Sequence, residues 1–381
     1  MNKEPMEGLN RKQHIECPAT SIRDLHLEMG QQCNVRCSMC YQTDFSPQTK
    51  MPEIVWREKL LPAYKSARTL TLQGGEPTIL KNCRELLELV LGSFPNVRLN
   101  TVTNGVLFRG IWEDSFLAQG AYLNFSLNAI DRSLYERIVQ FGKQEEVIKN
   151  IDRLVRRKRE LRSNLIIRVS SVILSETIEE LARFITWAAD HGLDQVLFHT
   201  DTVLSLKRSD SATVQKHIAD AYAVADRFPE LKLLHLDEFD WLYSTRHGLM
   251  PVRERVKTIP AQETCPVAFE NLFVDFRGVA RPCCRSWIPV GDFKLDTLED
   301  VWNSKQATRF RKRLLNRDYR DCPVTCDLNP YPISPRWSDV RRAYWLFRRE
   351  PTNAARKMAR KFGLNSAQLN LPVLRPDEAK D

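Results

Sequence analysis

The 381-residue chain has no apolar run approaching the ~20 residues that span a bilayer, so a membrane-crossing helix is not expected. Its first residues hold no apolar secretory segment, which argues against disulfide-forming compartments and for a soluble, cytoplasmic protein. It has no internal repeat and no low-complexity tract, so neither a solenoid nor a disordered linker dominates it. Only about 20 residues precede the first expected strand, too few for an N-terminal leader-binding domain. The most telling shortage is one cysteine. Cys33, Cys37 and Cys40 share the run CNVRCSMCY, close enough to hold a single metal centre. Structural zinc takes four protein ligands, and a [4Fe–4S] cube normally takes a cysteine for each iron. Three thiolates therefore suggest a cube with one iron left for an outside ligand, with a zinc knuckle borrowing a distant ligand as the alternative. Three cysteines cannot pair among themselves as disulfides.

What is present supports a large fold. With 43% hydrophobic residues the chain can bury a main domain and a smaller one. Its ten cysteines fit metal ligation in a reducing compartment. The formal charge of +9 suits an acidic electron donor, an anionic substrate, nucleic acid or a membrane surface, and selects none of them. Between 22 and 237, strand-like runs (22–28, 69–73, 97–103, 122–128, 165–173, 195–200 and 231–237) alternate with helix-period stretches (52–67, 82–92, 144–161, 176–191 and 212–227). That order predicts a parallel α/β sheet forming a complete or open barrel. Residues two apart share a strand face, and several strands carry a polar stripe: Thr69, Thr71 and Gln73; Asn124, Ser126 and Asn128; Arg168 and Ser170; His199 and Asp201; His235 and Asp237. Their opposite faces are apolar. The stripes predict a polar, ligand-filled lumen, with a solvent-facing sheet surface as the alternative.

Gln73-Gly74-Gly75-Glu76-Pro77 ends the second strand, where two residues without Cβ let backbone approach a ligand. Asn104-Gly105 closes the third strand as either a plain turn or part of a pocket. Ser126 and Asn128 stand at the carboxyl end of the fourth, where α/β folds build ligand sites. A second cysteine set follows: Cys265, Cys283, Cys284, Cys322 and Cys326. A turn at Arg277-Gly278 would bring Cys265 and Cys283 together, and four such thiolates would bind zinc or an iron–sulfur cluster. Beyond Cys326 the chain has eleven Lys and Arg against six Asp and Glu. An aromatic stripe there (Trp337, Val340, Tyr344, Phe347) suits a docked helix, a membrane-surface or lipid-linked contact, or a nucleic-acid contact.

CNVRCSMCY resembles the cluster motif of the radical S-adenosylmethionine (radical SAM) enzymes. In that family the open iron is chelated by the amino and carboxylate groups of SAM, and reductive cleavage yields a 5′-deoxyadenosyl radical. The resemblance implies a partial (βα)6 TIM-like barrel. It also implies cofactor contacts at Gly74, Gly75, Glu76 and Pro77 (the GGEP element), and at Asn104, Ser126 and Asn128. Where many relatives have Arg-Gly to pair the SAM carboxylate, this chain has Gln140-Phe141-Gly142, so Arg168 or Lys143 would substitute. The later cysteines, with Asp-x-x-Gly, Pro-Cys and Cys-x3-Cys, resemble the SPASM/twitch extension. Only five are present, which implies one auxiliary [4Fe–4S] cluster on Cys265, Cys283, Cys322 and Cys326. Cys17 and Cys83 remain as ordinary thiols.

The expected organisation is an N-terminal extension (1–21), the barrel (22–240), a linker (241–262), a small iron–sulfur domain (263–330) and a basic helical tail (331–381). The expected activity is hydrogen abstraction from an unactivated C–H, on electrons from flavodoxin or ferredoxin, to modify a ribosomally made peptide. Oxidation or rearrangement of a sugar, cyclitol or lipid-linked small molecule is the alternative. A non-catalytic iron–sulfur or zinc protein is the alternative of another class. His199, Asp201, His235 and Asp237 are the candidate bases.

Overall fold

A computed structural model describes residues 18–40, 42, 44–201, 206–246, 264–286, 288–322 and 326. Cys17, Tyr41 and the basic tail lie outside the described residues. Seven strands run parallel: β1 (Asp24–Glu28), β2 (Thr69–Gln73), β3 (Arg98–Thr103), β4 (Gly120–Ser126), β5 (Ile166–Ile173), β6 (Gln195–Thr200) and β7 (Lys232–Leu234). Each bonds to the next in chain order. The free side of β1 takes β8 (Asn271–Val274), also parallel, followed by β9 (Val279–Arg281) and β10 (Gly291–Asp292) as antiparallel additions. The result is one ten-stranded sheet, β10-β9-β8-β1-β2-β3-β4-β5-β6-β7, whose two ends do not pair. The barrel is therefore partial, and the iron–sulfur segment is an extension of its sheet.

Strict alternation builds the two faces. Leu25, Leu27, Leu70, Leu72, Leu123, Phe125, Ile167, Val169, Val196 and Phe198 are fully excluded from solvent on the convex side. Against them lie amphipathic helices such as α1 (Gln144–Glu160), whose Val147, Ile151 and Leu154 recur at helical spacing and are buried while Lys149, Arg156 and Arg159 are exposed. Phe108 wedges between this layer and the next, edge-on to Phe116 and Phe125 at 5.6 Å each. Asp24, His26, Thr69, Thr71, Asn100, Tyr122, Asn124, Ser126, Arg168, Ser170, Gln195 and His199 point the other way.

Two expectations need correction. The strand expected over 231–237 stops at Leu234, because His235 turns into the left-handed region (φ 63°) and α2 (Leu236–Arg246) begins. Leu236, Phe239 and Tyr243 are buried at helical spacing, and Asp237 and Glu238 suit a helix N-terminus. A linker from 241 is likewise overturned at its start, since 241–246 belong to that helix. Among the described residues no helix is long and apolar enough to cross a membrane.

Candidate active site

The cysteine loop leaves the carboxyl end of β1 and is held from two sides. Arg36 and Cys37 pair antiparallel with Gln140 and Val139, so the segment just before Phe141-Gly142 clamps the loop. On the other side lies the glycine turn. Gly75 N–H donates to Gly30 O and Glu76 N–H to Gln32 O, both at 2.9 Å. A Cβ on Gly75 would fall 2.0 Å from Gln32 O, and one on Gly74 2.5 Å from Gly30 O. These glycines thus bring the turn against the backbone leading into Cys33.

Glu76 is buried, and its side chain ties its own turn to the end of β3. Its carboxylate accepts from Thr78 N (3.1 Å), Thr78 Oγ1 (2.7 Å), Thr103 Oγ1 (2.7 Å) and Asn104 N (2.6 Å). Burial pushes its pKa up despite these bonds. Asn104, so anchored, donates from Nδ2 to Asn34 Oδ1 at 2.7 Å and reaches Cys33 Sγ at 3.9 Å. Asn128 has φ 65° and ties β4 to β5: Nδ2 donates to Ser126 O, and Oδ1 accepts from Val172 N. Ser126 stands half-buried at the rim of the concave face, while Lys143 is exposed. Pro77 is buried and opens the short turn that follows Glu76.

The thiols suit a cluster. Burial, with Glu76 nearby, pushes the Cys33 thiol up to about 12, and burial with the neighbouring thiols raises Cys37. Without metal such a site disfavours thiolates, so a cationic iron centre is what would stabilise them. Among the described residues no group of three or more His, Cys, Asp or Glu is placed to hold a single ion. A cube spaces its thiolates more widely than one ion does.

The second cysteine set lies at the opposite end of the sheet. Cys265 precedes β8, and Cys283 follows the antiparallel β9, so both fall at the amino ends of the parallel strands. Cys283 and Cys322 each feel the thiols of Cys265 and Cys326 as well as burial, and both are raised. Cys284 is exposed and acts on Cys283 and on Tyr122 across the hollow. Cys83 is a buried thiol on the helix Lys81–Ser93.

Between the two sets lies the concave face. Arg168 donates from Nε (3.0 Å) and Nη2 (2.7 Å) to Gln195 Oε1, and its guanidinium stacks on Tyr122, 4.9 Å from the ring centre. Both contacts hold it at mid-strand, below the cysteine rim. His199 is exposed to the hollow near the carboxyl end of β6, and desolvation within the hollow, with Arg285, His235 and Arg168, lowers its pKa to about 4. Asp201 is buried just beyond β6. His235 sits 3.5 Å from Glu238. Asp237 does not join this group: it is exposed in the first turn of α2, which corrects its place in a lumen stripe. Sequence reasoning missed Tyr122 and Gln195, which the alternation with Asn124 and His199 could have exposed. It also missed Arg36, visible between the cysteines.

An open α/β barrel with a three-cysteine loop at one end and four grouped cysteines at the other defines a protein built around iron–sulfur centres. The radical SAM superfamily model matches residues 27–188, and the iron-sulfur cluster-binding SPASM domain matches 265–327. Together they cover more than half of the chain, which belongs to the radical SAM superfamily in its SPASM-containing subgroup. Iron–sulfur clusters and SAM are the cofactors these two domains imply.

GTP 3′,8-cyclase of Desulforamulus reducens is 28% identical over 138 residues, 35% of this chain and 42% of that protein. The chain spans about half the length of the curated relatives it matches. Streptococcus suis SuiB bound to precursor peptide SuiA shares the fold with a TM-score of 0.55 at 15% identity, covering 76% of this chain and 67% of that one. The anSMEcpe structure with bound AdoMet has a TM-score of 0.55 at 15% identity, covering 91% and 97%.

Proposed function

We propose that this chain is a radical SAM enzyme that modifies a ribosomally made peptide. The observation that carries this is the polar chamber with one cysteine set at each end. Cys33, Cys37 and Cys40 would hold the catalytic cluster, and Cys265, Cys283, Cys322 and Cys326 one auxiliary cluster. Bound there, the first cluster and SAM would supply the chemistry of hydrogen abstraction from an unactivated C–H. The chain's own residues bind and orient. Gly74–Pro77 and Ser126 border the SAM space, while Arg168, Gln195 and Tyr122 floor the substrate space. His199 is neutral at physiological pH, and its lowered pKa makes it a weak base that suits holding substrate by hydrogen bonding. The electron donor is a flavodoxin or ferredoxin.

A peptide substrate is supported by the fold shared with SuiB, which is seen with its precursor peptide. A phosphorylated small molecule is the second reading, favoured by the guanidinium of Arg168 in the chamber and by relatives named GTP 3′,8-cyclase. Anaerobic reconstitution with SAM and dithionite should release 5′-deoxyadenosine. Intact clusters without that product would overturn the enzyme reading. Co-expression with short neighbouring reading frames, followed by mass spectrometry, should show a modified peptide. An unmodified peptide alongside an altered nucleotide would favour the second reading.

A further inference from the structure

We propose that Arg36 sets the reduction potential of the cluster held by Cys33, Cys37 and Cys40, with Asn104 as a second contact. This rests on the reading of that loop as the cluster site. Arg36 is fixed by its own loop: Nη1 donates to Cys33 O at 2.7 Å and to Val35 O at 2.9 Å. Its guanidinium lies over the Phe45 ring, 3.8 Å from the centre. Its Nε is buried and has no hydrogen-bond partner. Among the described residues no carboxylate lies within ion-pair distance of it, and the charges it feels are those of Cys33, Cys40 and Cys37. A side chain meant only to fill space beside Phe45 would not need this cation. A cation meant for solvent would not be pinned to two backbone carbonyls.

Asn104 adds a donor. One amide proton goes to Asn34 and the other faces Cys33 Sγ. Its orientation is locked by Val106 N–H on Oδ1 (3.1 Å) and by its own N–H on Glu76. Reduction brings one electron to the cluster from a low-potential one-electron donor. No bond is made or broken, and the cluster becomes more negative by one charge. A fixed cation and an N–H aimed at a ligand sulfur both stabilise that charge, so both raise the potential.

The test uses the anaerobically reconstituted full chain, titrated with dithionite and followed by electron paramagnetic resonance. The signal that SAM perturbs identifies this cluster. Arg36→Gln should keep its iron and shift the midpoint of that signal to more negative values, while the auxiliary signal stays in place. Arg36→Lys should stay near wild type, and Asn104→Leu should shift in the same direction as Arg36→Gln. An unchanged midpoint in Arg36→Gln with full iron would overturn the proposal, as would loss of iron in both Arg36 variants. If only Arg36→Gln loses iron, Arg36→Lys decides: a wild-type midpoint supports the charge, and a more negative one overturns it. A wild-type protein with no SAM-perturbed signal would instead fail the cluster reading itself.

Discussion

Gly75→Ala adds one methyl group where the backbone of the cysteine loop leaves no room. The new Cβ would lie 2.0 Å from Gln32 O and 2.5 Å from Gln31 O, both backbone atoms that cannot rotate away. Gly75 does not occupy the left-handed region, so the effect is one of space alone. Relief requires the turn to leave the loop, breaking the two 2.9 Å bonds to Gly30 and Gln32. Those bonds are worth about 1 kcal/mol each. Overpacking adds ~1–3 kcal/mol, for a total of ~3–5 kcal/mol. Because the loop runs straight into Cys33, the damage should fall on one cluster. Iron should drop from about eight to about four per chain, with the auxiliary signal retained. Gly92→Ala is the control, since nothing lies within 4 Å of its Cβ and it sits in a helix; it should stabilise by ~0.5–1 kcal/mol. Denaturant unfolding and iron analysis of both variants check this. A Gly75→Ala protein with about eight irons, unfolding within ~0.5 kcal/mol of wild type, would refute the argument.

Asp275 is fully buried beneath the β8–β9 turn, accepting from the Arg277 and Val279 N–H groups and from the Arg277 and Arg281 guanidiniums. Asp275→Asn should cost ~3–5 kcal/mol by denaturant unfolding, because it leaves two arginines facing a neutral amide. Burial alone would raise its pKa, but the Arg277 bond and the two cations outweigh burial and lower it. The difference from wild type should hold above about pH 3.8 and shrink as pH falls through the lower folded value; a constant difference would contradict this. His199 runs through a different window. Its folded pKa of about 4 lies below the usual 6.5, so its contribution is full above 6.5 and is lost as pH falls toward 4. In metal-free protein His199→Gln should flatten the stability slope between pH 4.5 and 7.5, and an unchanged slope would count against it. Thr103→Val removes one donor to buried Glu76 and should destabilise by ~1–3 kcal/mol, read from thermal unfolding with iron content.

The barrel was legible because most of its strands alternate polar and apolar residues, β3 being the exception. Thr69–Gln73 and Gln195–Thr200 have the expected bounds, and the polar stripes from Thr69 to His199 face the hollow. It failed where one residue reversed the backbone: the left-handed turn at His235 cannot be read from alternation, and it moved Asp237 from a strand to a helix. The cysteine spacing was legible because ligand geometry constrains it locally. The role of the glycine turn was only half legible. A missing Cβ signals close approach but not to what, and the neighbour proved to be the chain's own backbone. Arg36 went unread because a charged residue between ligands looks like any exposed cation until its two carbonyl partners are known.

The two cysteine sets are tied to one pair of strands. Cys33 follows the carboxyl end of β1, and Cys265 precedes the amino end of β8. Those strands pair in parallel from Asp24–Asn271 to Leu27–Val274. At ~3.3 Å per residue, the five residues of β1 alone hold the two ends on the order of 15 Å apart. Parallel register fixes that interval, because slipping by one residue would turn Leu25 and Leu27 into the hollow and His26 into the core. The loop Cys283–Arg285 acts from the amino end on both Tyr122 and His199, strands away on the concave wall. The extension therefore does more than store a second centre: by joining the sheet at β1 it sets the depth of the chamber and brings its own side chains to the floor. A change that loosened the β1–β8 pairing would alter chamber and cluster spacing together.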